Sequence, residues 1–175
     1  LIADLHNPLF VEIADQVRVR LESEGRHYYI TSAMIRNEDG VPYLDKQTLK
    51  SIIDLRPESL LVIGSIPKIE LLEELPKSLP IIIASGVPIG IPRAQTVRTD
   101  ETKGMRLVID HLVELGHKNI AHISGVSSVV AKDRAAGYEA AMKANGLEKY
   151  INIVKAKTDD EVAGYQMAEL LLKSK

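Results

Sequence analysis

The chain has 175 residues, 45% of them hydrophobic and 26% charged, with a formal net charge of -2. This aliphatic composition, with one Phe and no Trp, suffices for one large core or two small ones and excludes disordered, collagen-like and low-complexity classes. The absence of Cys excludes a disulfide framework and a Cys-ligated metal, the slight acidity argues against a stand-alone nucleic-acid binder, and no apolar run approaches the roughly 20 residues of a membrane-spanning helix.

Leu1-Ile2-Ala3-Asp4 reads as the last part of a strand. Asn7 followed by Pro8 predicts a helix start, because Asn accepts an orphan N–H and Pro tolerates the first helical position. Phe10, Ile13, Ala14, Val17 and Leu21 then recur at helical spacing as far as Gly25, a candidate C-terminal cap. A β-rich run over 27–31 precedes a second amphipathic helix over 44–55. Residues 59–64 read as an apolar strand, 69–77 as a short helix and 80–85 as a fully buried strand.

Residues 86–95 hold two Gly and two Pro and read as a connection. A strand over 95–99, a helix over 101–115 ending at Gly116, a strand over 119–124 and a helix over 131–144 follow. A strand over 151–156 leads to Thr158 and Glu161, spaced as a capping box that opens the last helix. Apolar strands each followed by a helix predict an α/β fold with a parallel sheet covered on both faces. The connection over 86–99 is the candidate boundary, dividing the chain into 1–95 and 96–175. No initiator Met precedes the first half-strand, and the closing helix over 170–175 has nothing after it to cover it. The sequence therefore reads as an interior piece of a longer protein.

Catalytic and cofactor signatures are missing from the sequence. There is no P-loop, and Gly86-Val-Pro-Ile-Gly90 lacks the spacing of a dinucleotide fingerprint. His111, His117 and His122 are not spaced as a helical zinc pair, and no Ser sits in a nucleophile elbow. Neither enzyme chemistry, a metal nor a cofactor is expected. Binding chemistry remains. Ligands of parallel α/β sheets bind outside the carboxyl ends of strands, and the groups there are Asp4, His6, Asn7, Leu9, Phe10, Ser65, Ser85, Asp100, Ser127, Ser128 and the downstream Arg134. Carboxylates, hydroxyls, one planar guanidinium and an aromatic face suit a polyhydroxylated ligand.

The run from Thr99 to Gly125 resembles the effector-domain signature of LacI/GalR-type bacterial transcriptional repressors. Asp100, Gly104, His111, Leu112, Gly116, His117, Lys118, Ile120, Ala121, Ile123 and Gly125 match it, followed by Arg134, Gly137 and Tyr138. Asn7-Pro-Leu-Phe10 is similar to the family's pocket-entrance motif, with Leu9 in place of the first of two aromatic rings. The resemblance implies two Rossmann-like lobes of the type I periplasmic-binding-protein-like fold, residues 1–95 and 96–175, with the second lobe incomplete and an effector in the cleft between lobes. It implies a cytoplasmic regulator that works as a homodimer and, through a helix-turn-helix outside this chain, changes its affinity for operator DNA when a small molecule of the sugar class binds. The implied effector-binding residues are Arg134, Phe10, Leu9, Asn7, Ser65, Ser85, Asp100 and Ser128.

Two of these carry a second reading: Arg134 as a structural ion-pair residue and Asp100 as a helix cap. Glu101 departs from the usual Asn after Asp100, and Ser85 stands where many members carry Asp. The 125–134 loop is one residue shorter than in several members and carries Val129-Val130, and no aromatic lies near Thr158. A nucleobase or a phosphorylated partner protein therefore stays open beside a sugar. A secreted sugar-binding protein of a transport system is the alternative function, and an enzyme on this fold is a third reading that lacks a nucleophile–base pair.

Overall fold

Asn7 and Pro8 open the first helix of a computed structural model that describes residues 1–33, 36–38, 41–66, 69–125, 128–158 and 161–173. Helix α1, Pro8–Ser23, starts with the Asn7 side chain accepting from the Leu9 N–H. It ends before Gly25, whose φ of 66° is the left-handed conformation that a missing Cβ permits. Two short strands, β1 (Arg36–Glu38) and β2 (Val41–Tyr43), pair antiparallel. Helix α2, Lys46–Asp54, is capped by Asp45, which accepts from the Thr48 N–H, and buries Thr48, Leu49 and Ile52.

Strands β3 (Leu60–Ile63), β4 (Ile81–Ala84) and β5 (Gln95–Val97) form a parallel sheet in that order. Leu60 lies opposite Ile81, and Ile83 opposite Thr96. A 3₁₀ segment, Ile69–Glu74, stands where the periodicity predicts an α-helix over 69–77, and Pro76 lies just beyond its end. Its Leu72 joins Leu44, Leu49, Ile52, Val62, Ile83 and Ile91 in one buried cluster. Arg93 fastens the connection onto that segment. Its guanidinium donates to the carbonyls of Leu72, Leu75, Pro76 and Leu79 at 2.8–3.3 Å and to Glu73 Oε1 at 3.2 Å.

Two expectations for this part need correction. Residues 27–31 form no strand; pairing here is a single bridge of Ser32 to Ile2, and residues 1–3 also lie along β3. Strand β4 is not buried on both faces. Ile81 and Ile83 are buried, whereas Ile82, pointing to the opposite face, is 38% exposed. No residue of α1 is fully buried; Ile13, Ala14, Val17 and Leu21 are half-buried.

Helix α3, Glu101–Glu114, is capped by Asp100 and followed by Gly116 with φ of 88°. Strands β6 (Ala121–Ser124) and β7 (Asn152–Lys155) pair in parallel, Ala121 opposite Asn152. Helix α4, Val129–Ala144, begins two residues before the sequence expectation because Ser128 caps it, and a 3₁₀ turn, Glu148–Tyr150, precedes β7. Helix α5 is Glu161–Lys173; part of the expected capping box lies outside the described residues. Ile109, Ile120, Tyr138, Ala141, Met142 and Leu147 form the second buried cluster. Fully buried Tyr138 joins three elements: its hydroxyl donates to Ile120 O at 2.7 Å and accepts the Asn152 N–H at 2.9 Å. Gly137 allows α3 and α4 to cross closely, since a Cβ there would lie 3.1 Å from both Met105 Cβ and Thr102 Cα.

The chain divides into two compact units, Leu1–Arg98 and Thr99–Lys175. Among the described residues no helix is long and apolar enough to cross a membrane.

Candidate ligand-binding site

In the first unit the candidate groups gather where β3 and β4 end. The Asn7 side chain is committed to its helix cap at 3.0 Å, and the neighbouring Asp4 accepts from the His6 N–H at 2.8 Å. Phe10, half-buried, lays its ring edge over Gly64, where an added Cβ would stand 2.5 Å from the ring. The left-handed φ of Gly64, 92°, and this contact both require glycine. Leu9 is 54% exposed and leaves the ring of Phe10 as the only aromatic of the pair. Ser65 follows Gly64 and is exposed.

Ser85 follows β4 with a φ of 56°, a strained conformation for a residue with a Cβ, and its N–H donates to Val97 O at 2.9 Å. The next residue, Gly86, packs on Gly64, whose carbonyl O would be 2.7 Å from a Cβ at position 86. The two strand ends are thus in contact through backbone. A groove of about 830 Å³ lies elsewhere, lined by Val17, Leu21, Tyr28, Pro57 and Ser59 among others, and contains none of the candidate residues.

In the second unit, Asp100 Oδ1 accepts from the Lys103 N–H at 2.9 Å and Ser128 Oγ from the Ala131 N–H at 3.1 Å; both are helix caps. Ser127 lies outside the described residues. Arg134, in the second turn of α4, donates from Nε to Glu101 Oε2 at 2.6 Å. The Arg134 side chain is 50% exposed and that of Glu101 only 11%. The other Glu101 oxygen accepts from the Thr99 hydroxyl. Glu101 is therefore the fixed partner and Arg134 the presented one. The sequence reading marks Glu101 only as a departure, and its pairing across 33 residues carries no local signal.

His122, on β6, stacks on Tyr138 with ring centroids 5.4 Å apart. Its Nε2 is buried and has no hydrogen-bond partner among the described residues. Burial first, and the Arg134 charge second, hold its pKa below the usual value. Among the described residues no group of three His, Asp or Glu is placed to hold a metal ion.

Residues 1–175 match the family described as periplasmic binding proteins and sugar binding domain of LacI family. The chain belongs to this family. Among curated proteins, the maltose regulon regulatory protein MalI of Escherichia coli is 25% identical over 150 residues, which are 84% of this chain and 42% of MalI. Less than half of that relative is spanned. A LacI transcriptional regulator from a Rhodococcus species superposes with a TM-score of 0.79 at 26% identity, over 98% of this chain and 61% of that one. The Cra regulator of Pseudomonas putida, solved with fructose 1-phosphate, superposes with a TM-score of 0.77 at 20% identity, over 99% of this chain and 63% of Cra. The fold is thus the mixed α/β, parallel-sheet fold of LacI-type regulators and periplasmic binding proteins.

Proposed function

We propose that this chain is the effector-binding part of a cytoplasmic, LacI-type transcriptional regulator. It comprises an N-terminal lobe and part of a C-terminal lobe. It senses a small molecule of the sugar class and changes the operator affinity of a DNA-binding domain outside the chain, in a protein that works as a homodimer. The observation that supports this most directly is the family match over residues 1–175, with a regulatory protein of the maltose regulon among the relatives. The Gly116-His-Lys-Asn-Ile-Ala121 stretch favours the regulator over the secreted transport protein. The fructose 1-phosphate held by the Cra structure supports a sugar or sugar derivative as the effector class.

Arg134 is the principal polar anchor in this reading, with Ser128 and Asp100 beside their helix starts and Asn7, Leu9, Phe10, Ser65 and Ser85 in the first unit. Half-exposed, Arg134 has a planar fork of donors that Lys does not reproduce. Arg134→Ala is expected to weaken effector binding by about 1.5–3 kcal/mol, roughly 10- to 150-fold. The variant also leaves the nearly buried Glu101 carboxylate without its cation, so a loss of fold stability is expected beside the loss of binding and is read separately by thermal melting. A thermal-shift screen of sugars, sugar phosphates and nucleobases on the full-length protein, followed by calorimetry on the best binder, tests this. Binding that Arg134→Ala leaves unchanged would remove the anchor role. A screen in which only a nucleobase binds would remove the sugar class.

A further inference from the structure

The family relation leaves one property of the effector open: whether it carries a phosphate. We propose that Glu101 is a specificity-determining residue that steers the Arg134 site toward neutral, hydroxyl-bearing effectors and away from phosphorylated ones. The inference rests on the reading of Arg134 as an effector anchor.

Two observations carry it. Glu101 is nearly buried and held through both oxygens, by the Thr99 hydroxyl and by Arg134 Nε. Its carboxylate is therefore fixed at the start of α3 and does not swing away when a ligand arrives. Second, the 2.6 Å contact uses Nε, and among the described residues Arg134 Nη1 and Nη2 have no hydrogen-bond partner. A ligand reaching the guanidinium meets it at that end. A group bonded to Nη1 and Nη2 would then lie close to the Glu101 carboxylate, which offsets the guanidinium charge. A hydroxyl feels this as a small dipole term. A phosphate, carrying between one and two negative charges, feels direct repulsion and finds the guanidinium's attraction largely cancelled.

The test uses the full-length protein and inorganic phosphate as the probe, titrated by calorimetry near neutral pH, alongside the sugar found in the thermal-shift screen. Glu101→Gln keeps the length and an acceptor oxygen for Arg134 Nε but removes the charge. It is expected to raise phosphate affinity about tenfold or more, well beyond any change in sugar affinity. Adding Arg134→Ala to the Gln variant is expected to abolish the gain. Glu101→Asn, also neutral, provides the same comparison if the Gln variant folds poorly.

Phosphate affinity within about twofold of the native protein in both neutral variants overturns the proposal. So does a gain that survives Arg134→Ala. The two readings fail separately. If Arg134→Ala leaves sugar affinity unchanged, the anchor role of Arg134 is wrong. If it weakens sugar binding but neutral residues at 101 leave phosphate affinity alone, only the role of Glu101 is wrong.

Discussion

Two rings at the centre of the second unit differ in how their polar atoms are satisfied. The Tyr138 hydroxyl both donates and accepts, whereas His122 Nε2 is buried with no partner among the described residues. Charging His122 would bury a cation and set it against the Arg134 charge, so the folded state favours the neutral ring. The sign follows. A folded pKa below the ordinary 6.5 means that the unfolded chain binds the proton first. Stability is full above 6.5 and falls as pH drops from there toward the lowered folded value. Chemical denaturation at a series of pH values is expected to show this acid loss, and His122→Phe, which keeps a ring on Tyr138, should reduce it. Equal pH slopes for the two proteins would contradict the account.

At this scale the candidate residues were legible as residue types at strand ends, because the βα order fixes where strands end. Their pairing was not. The second reading of Asp100, a helix cap, describes the hydrogen bond it makes, and both readings of Arg134 meet in one side chain that is ion-paired and still half-exposed. Glu101 sits 33 residues from its partner, a distance over which sequence spacing carries no geometry.

Helices α3 and α4 show why the same residue has opposite value at two positions. Gly137 sits at the crossing, with Met105 and Thr102 within 3.1 Å of where a Cβ would stand. Gly104, on α3, has nothing within 4 Å. Gly104→Ala is therefore expected to stabilise by up to about 1 kcal/mol through helix propensity. Gly137→Val should cost about 1–3 kcal/mol, since the Thr102 backbone yields less readily than a side chain tip. Urea unfolding of both variants checks this; a Gly137→Val protein as stable as the native one would show that the crossing is not tight.

Long elements with strong periodicity, such as α1, α2 and α3, stand close to the helix start at Asn7-Pro8 and to the ranges 44–55 and 101–115 that the sequence pattern gives. Short ones do not. The β1–β2 pair has no apolar run in the sequence to announce it. Residues 27–31 have β propensity yet form no ladder with a described strand, and Ile82 looks like core in the sequence although no described element buries it. Both misreadings arise because strand formation depends on neighbours that propensity does not see.

For the whole molecule, the exposed apolar side chains bear on assembly. Val11 and Val19 of α1 and Ile53 of α2 are 43–47% exposed. Leu107 and Val108 of α3 and Tyr165 and Leu172 of α5 are more exposed still, at 52–68%. Apolar surface of this kind is normally covered in the working protein. Sedimentation of the full-length protein is expected to show a dimer at micromolar concentration, and a monomer alone would contradict it.

The central claim is that binding of a small sugar-class molecule to this chain controls DNA affinity elsewhere in the protein. Fluorescence anisotropy of the full-length protein on DNA from the region upstream of its own coding sequence, with and without the sugar found by the screen, tests it most directly. The account predicts sequence-selective binding whose affinity the sugar changes by about tenfold or more, a coupling of about 1.4 kcal/mol. The response should be lost in Arg134→Ala while sugar-free binding is kept. Selective DNA binding that a saturating, bound sugar leaves unchanged would contradict it.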